Sequence, residues 1–272
     1  MFAALALLEL ALPDREAVDG RKQRWPGNLL IILMGNLLLR LIGPLLPYSA
    51  ALFIEGRSWG FVSLGFMPFW VKVVISVLIL DAWIYLQHVL FHRVKFLRPF
   101  HRMHHSDTHI DFTTGFRMHP VEILLSALYK SFLVIALGIP AFGVFLFEVI
   151  LNAASMFSHG NFRISPGFEK QLRKVIITPQ MHRTHHSLHA DERNSNYGFF
   201  LSVWDRIFST YTHRPRDGQR WMKVGMPGLL TSRVNRIDRM VIEPFLKYPR
   251  TEEGDGNFTR PDHVSREDGS NV

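Results

Sequence analysis

Histidine is the residue whose numbers and spacing in this chain point to chemistry: 272 residues hold fourteen histidines and not one cysteine. Eight of the fourteen fall in three clusters: His88 and His92, then His101, His104 and His105 in HRMHHS, then His182, His185 and His186 in HRTHHS. The first pair carries little by itself, because one ring hydrogen-bonded at headgroup level and one solvated would explain it. Repetition of the hexapeptide is another matter. On a helix, positions i, i+3 and i+4 line one face, so each triplet can present three nitrogens to a common centre. Eight imidazoles are too many for one ion. A structural zinc takes four protein ligands and a catalytic zinc three, whereas two neighbouring ions can share eight and keep open positions. Without cysteine the ligands are His, carboxylate or water. Imidazole suits zinc, copper, iron and nickel alike, so the residues leave the metal open.

These rings must be positioned by elements that the rest of the sequence outlines. Apolar residues make up 47% of the chain and mean hydropathy is +0.08, too apolar for an ordinary soluble domain. The net charge of +8 comes from Lys and Arg flanking apolar runs. That pattern suits anionic lipid headgroups and not nucleic acid. Asn28 to Ile54, with Arg40 its single charge, predicts a transmembrane helix kinked near Gly43, Pro44 and Pro47. Phe61 to Leu86 predicts a second span that delivers the chain to His88. Val121 to Phe157 is broken at Gly138, Ile139 and Pro140, which predicts two short spans joined by a hairpin. Only an even number of crossings returns His159 and the later histidines to the side where His88 to His105 lie. Basic residues on both flanks of the hairpin place that side in the cytoplasm. Phe2 to Leu12 is too short for a secure span: a signal-anchor fragment, an interfacial helix and a truncated start all fit it. Phe168 to Ile177 and Leu230 to Phe245 predict helices lying in the interface. The tail from Arg250 to Val272 has too few apolar residues to stay ordered. The expected fold is therefore an all-α integral-membrane bundle of about four transmembrane helices with a histidine-rich cap on its cytoplasmic face. Its divisions are 1–27, a short apolar segment and charged linker; 28–249, a membrane-embedded catalytic domain with its core at 81–211; and the tail 250–272.

The runs DAWIYLQHVLFHR, FHRMHHSD, RMHPVE, TPQMHRTHHS and NYGFFLSVWDRIFSTY resemble the fatty acid hydroxylase superfamily, also called the sterol desaturase family, from about Asp81 to Tyr211. The resemblance implies two iron ions, for which zinc can substitute in preparations, and dioxygen chemistry that hydroxylates or desaturates a lipid C–H bond. It implies His88, His92, His101, His104, His105, His182, His185 and His186 as ligands, with His159 in SHGN as a further one. His119 in the HP turn is either a ligand or a partner of one. Asp81 and Glu148, carboxylates inside apolar stretches, are candidates to bond the outer nitrogen of a ligand histidine. Asp205, in the WDR run, is read as such a partner or as structural. His109 and His189 extend the helical face of each triplet, yet hydrogen-bonded or solvated rings explain them, and His213 and His263 read as solvated.

No flavin or cytochrome module is visible, so the electrons must come from a separate donor, a ferredoxin or a cytochrome with its reductase, docked on basic loops. The other expected partners are a lipid substrate and the membrane; nucleic acid is not one. The expected location is multi-pass, in a bacterial inner membrane. Two other classes compete: a membrane scaffold with structural zinc, for which the excess of ligands has no use, and a metal transporter, whose ligands belong inside spans near the midplane. Pterin-dependent ether cleavage has the least support within the oxygenase class, since no pterin pocket is legible.

Overall fold

Proline and glycine punctuate the apolar runs, and the helices begin and end there. The computed structural model describes residues 1–57, 60 and 67–246. Among these the chain is nearly all helical, with no strand beyond isolated bridge pairs. The helices are α1 (Phe2–Ala11), α2 (Arg21–Leu41), α3 (Pro47–Ile54), α4 (Phe69–Arg93), α5 (Arg98–His105), α6 (Pro120–Leu137), α7 (Ala141–Ser158), α8 (Pro166–Leu172), α9 (Pro179–His185), α10 (Ala190–Arg193), α11 (Val203–Ile207), α12 (Gly218–Trp221) and α13 (Ile237–Ile242). Three of them, α4, α6 and α7, are long and apolar enough to cross a membrane. The expected disorder of 250–272 falls outside the described residues.

The hairpin forms where the sequence predicts it. Pro120 opens α6 in the first turn, where a missing N–H costs nothing, and Gly138 closes it in the left-handed region at φ 68°. Pro140 then caps the start of α7. The chain thus returns to the end it left, with His119 before α6 and His159 after α7. Between α3, α4, α6 and α7 lies the main apolar core, including Ile54, Leu80, Ile84, Val134, Val144 and Phe147.

The stretch predicted as a first, kinked span is instead two helices. Pro44 and Pro47 lack the N–H groups that would carry α2 onward, so the chain passes through a tight turn at Gly43–Leu45 before α3. Both pieces pack along α6. At Gly35 a Cβ would lie 2.3 Å from Ile123 Cδ1, the tip of a side chain that would have to swing aside for any larger residue. Further along, Ser131 Oγ donates to Leu45 O at 2.6 Å.

The N-terminal run docks on the cap. Glu9 is buried and its Oε1 accepts the backbone N–H groups of Phe112 and Asn161, each at 2.8 Å, while Phe2 packs edge-on against the Phe112 ring. Leu7, Leu10 and Leu12 face outward. The helical spacing from Leu230 to Phe245 predicts one helix, but Arg236 is extended and Pro244 falls in the last turn. Short pieces result.

Candidate metal centre

Four elements converge at one end of the bundle. His88 and His92 occupy the last turns of α4, His101, His104 and His105 lie on α5, His159 caps α7, and His182, His185 and His186 run along α9 into its cap. Helices α4 and α7 pack side by side, with α5 against α4 and α9 against α7. All nine rings are buried. They form two groups in which one nitrogen per ring lies within 4.8 Å of the others: His88, His92, His101, His105 and His185 in one, His104, His159, His182 and His186 in the other.

This partition corrects the expectation that each triplet serves one centre. Residues i and i+4 differ by about 40° around a helix, whereas i+3 lies about 60° to the other side of i. His101 and His105 therefore point into the five-ring group and His104 into the other. On α9 the assignment is exchanged: His182 and His186 join the four-ring group and His185 crosses to the five-ring group. The duplicated hexapeptide thus acts as a pair of interlocking hands.

The nitrogens are oriented from outside. His88 Nδ1 donates to Tyr197 O at 2.7 Å, His101 Nδ1 to Glu122 Oε1 at 2.7 Å, His185 Nδ1 to Ser195 O at 2.7 Å, His159 Nδ1 to Ser155 O at 2.7 Å and His104 Nδ1 to Arg117 O at 3.2 Å. Each acceptor is a carbonyl or a carboxylate, so in a neutral ring Nε2 bears the lone pair. Yet His88 Nε2 and His101 Nε2 stand 2.9 Å apart, and His104 Nε2 and His159 Nε2 stand 3.2 Å apart. Two facing lone pairs cannot hydrogen-bond. Something positive must lie between them. A proton is disfavoured: burial first, then the neighbouring rings, push His104 well below its ordinary pKa, and burial pushes His159 down to about 4. His105, His182, His185 and His186 are depressed likewise by burial. A cation fits: ligands at right angles about 2.1 Å from one ion have nitrogens about 3.0 Å apart. His185 Nε2, buried with no protein partner, is another bare donor aimed inward. One such site lies in each group, so the arrangement suits two ions.

The fatty acid hydroxylase family model matches residues 73–210, a segment containing all nine rings. The chain belongs to the fatty acid hydroxylase family. It is 31% identical over 150 residues to an ornithine lipid hydroxylase of Rhizobium tropici, covering 55% of this chain and 44% of that one. It is 28% identical over 138 residues to an alkylglycerol monooxygenase of Caenorhabditis elegans, covering 50% of this chain and 26% of the relative. A very-long-chain aldehyde decarbonylase of Oryza sativa is 28% identical over 177 residues, 60% of this chain and 27% of the relative. The chain spans less than half the length of these curated relatives. No solved structure matches it. Clustered rings at one end of the bundle, in a chain of this family, do not fit a transporter with ligands at the midplane.

Other sequence-predicted residues sit apart from the two groups. His119 caps α6: its Nδ1 accepts from Val121 N and its Nε2 donates to Val241 O, each at 3.2 Å. Asp81 bonds no histidine; its Oδ2 accepts from Leu201 N at 3.1 Å and Trp204 Nε1 at 2.8 Å, tying the chain after α9 to α4. Glu148 pairs with Lys130 across the hairpin. Asp205 accepts from the N–H groups of Tyr197 and Gly198 at 2.7 and 2.9 Å, and burial pushes its pKa up to about 6. It thereby fixes the Tyr197 carbonyl on which His88 hangs. His109 meets Asn161, His189 pairs with Asp217, and His213 lies against Arg173 and Tyr211.

Sequence reasoning missed Glu122, in RMHPVE. Its Oε1 holds His101, and its other oxygen is buried without a partner. Such a carboxylate raises ligand basicity and fixes the ring. Glu122→Gln should lower metal affinity about 10- to 100-fold, read by competition with a chromophoric chelator. Unchanged affinity would reduce Glu122 to a helix-start residue.

Proposed function

We propose that this family member is a membrane-bound di-iron oxygenase that hydroxylates or desaturates an unactivated C–H bond of a lipid. The facing lone pairs of His88 with His101 and of His104 with His159 carry the reading: two buried sites, each shaped for a cation by neutral imidazoles. The metals, when bound, supply the dioxygen activation that an inert C–H bond demands and protein side chains cannot provide. For hydroxylation, one oxygen atom enters the C–H bond and the other leaves as water, consuming two electrons and two protons. The electrons come from a separate ferredoxin, or a cytochrome with its reductase, docked on the basic flanks of the cap.

The chain's own residues hold and shield. Carbonyls of Tyr197, Ser195, Ser155 and Arg117, with the Glu122 carboxylate, fix five rings so that no reorganisation is needed when charge develops. Phe199 packs on the apolar core of the spans, and its ring centroid lies 5.1 Å from that of His88. An alkyl chain entering sideways from the bilayer meets His88 along this dry, apolar edge, and polar competitors are excluded. Hydroxylation is favoured over ether cleavage because the ornithine lipid hydroxylase match covers more of this chain at higher identity than the alkylglycerol monooxygenase match.

Residues 28–249 form the catalytic domain in this reading. The two-piece segment α2 and α3 tracks α6 and makes the fourth crossing, and the metal centre lies on the cytoplasmic side of a bacterial inner membrane. All nine grouped rings are metal ligands, with His119 outside the set. The test is metal content in mild detergent with Mössbauer spectroscopy of iron-57-grown protein, for wild type and His104→Ala with His185→Ala. About two coupled irons per chain, lost in the variant, are expected. One metal or none, unaltered by the substitutions, would return the structural-zinc scaffold to the front.

A further inference from the structure

A helix on a protein surface in water turns its apolar side inward and its charges outward. Helix α1 does the reverse. Its one charged residue, Glu9, is 3% exposed, whereas Leu7 and Leu10 are 65% and 64% exposed. Around these leucines Ala3, Ala4 and Ala11 complete an outward face without a polar side chain.

The helix lies across the ends of its neighbours. Phe2 packs against Trp25, near the start of α2, and Phe116, four residues before α6, with ring centroids 6.0 and 6.3 Å away. Leu5 shares a cluster with Phe157, in the last turn of α7. At the other end of α1, Leu12 O accepts from Arg163 N at 2.9 Å. From Phe2 to Leu12 the chain therefore stays on one layer, at the metal-bearing ends of α2, α6 and α7.

That layer falls within the thickness of a bilayer. At the opposite end of the bundle the exposed rings of Phe69, Trp70 and Phe142 cluster with centroids 5.0 to 5.9 Å apart, and such aromatic groups sit at membrane interfaces. From Phe142 to Ser158 helix α7 rises only about 24 Å at 1.5 Å per residue, against a hydrocarbon core of about 30 Å. Tilt widens the shortfall of about 6 Å. What lies across the end of α7 there is α1.

We propose that α1 is an in-plane membrane helix whose Ala3, Leu7 and Leu10 face is immersed in lipid acyl chains. The bilayer then reaches Asn161, which Glu9 holds two residues beyond His159, so the four-ring group lies at the membrane surface and not above it. The inference rests on the membrane reading of the spans and is independent of the metals.

The chain has no cysteine, so a single introduced thiol carries a nitroxide label alone. Ala3→Cys, Leu7→Cys and Leu10→Cys are labelled in phosphatidylcholine vesicles, with Phe132→Cys on the outward face of α6 and Glu16→Cys in the exposed loop as references. Relaxation by dioxygen and by a water-soluble nickel chelate reports depth. The three α1 labels should favour dioxygen, as Phe132→Cys does, and lie at one depth about 5 to 10 Å below the headgroups. Depths that differ by about 10 Å between positions 3 and 10, the rise of an upright helix, would overturn the in-plane placement. So would α1 labels as open to nickel as Glu16→Cys beside a shielded Phe132→Cys, with the membrane reading intact. Nickel access at Phe132→Cys would sink the membrane reading itself. Labels shielded from both reagents, with spin–spin broadening that vanishes on dilution with unlabelled protein, would put a second copy on this face in place of lipid.

Discussion

His185→Ala, a change in the second histidine triplet, should deplete the same metal site as His101→Ala in the first triplet, and leave the other site filled. His104→Ala and His182→Ala, again one from each triplet, should deplete the complementary site. The expectation follows from the exchange of partners between α5 and α9, which places His101, His105 and His185 together and His104, His182 and His186 together. Had each triplet served one ion, the variants would sort by triplet. Iron per chain should fall from about two to about one in every case. X-ray absorption separates the classes: the iron left in His104→Ala or His182→Ala keeps five imidazoles, that left in His185→Ala or His101→Ala keeps four. Lipid oxidation should fall by at least about a thousandfold, roughly 4 kcal/mol of barrier, because neither ion works alone. Identical residual spectra for His104→Ala and His101→Ala would overturn the exchange.

This exchange shows where the sequence stops being legible. The eight box histidines could be found because helical spacing is a local property, and i, i+3, i+4 is visible in one dimension. Which ion each ring faces depends on how α5 and α9 are rotated against each other, which is set by packing between segments 81 positions apart in HRMHHS and HRTHHS. The hairpin was legible for the same local reason, since Gly138 and Pro140 terminate helices wherever they stand. Asp81 was noticed as costly inside a span, but its partners Leu201 and Trp204 lie 120 and 123 positions on, and nothing nearby betrays them. Glu122 went unseen because a glutamate in the first turn of a helix is ordinary on its own terms, favoured there by the helix dipole. Only the fold brings His101 against it. Arg24 is the sharpest case: it ends the stretch that reads as a charged linker, yet its side chain is fully buried.

Arg24→Met should destabilise the protein by about 3 to 5 kcal/mol, the cost of leaving buried charges unpaired. Its guanidinium donates Nε and Nη2 to Asp107 at 2.8 Å each and Nη1 to Asp111 at 2.5 Å, with side chains 0%, 0% and 4% exposed. Asp107 lies two residues after His105, and Thr114 bonds both Arg24 and Asp107, so the damage reaches the loop whose Arg117 carbonyl orients His104. Burial alone would raise the Asp107 pKa, but the Arg24 charge and its hydrogen bonds outweigh this and hold it well below the usual carboxylate range. A depressed carboxylate contributes stability that is present above its unfolded pKa of about 3.9 and is lost as pH falls through the folded value. Without Arg24 the sign reverses: desolvation lifts Asp107, and the ionised form is a liability relieved on protonation. The gap in melting temperature between wild type and Arg24→Met, measured in mild detergent, should therefore be widest near neutral pH and narrow toward pH 4. Adding Asp107→Asn and Asp111→Asn removes the stranded charges and should recover most of the loss at neutral pH. A deficit independent of pH and untouched by the asparagines would mean that Arg24 acts by packing and not by charge.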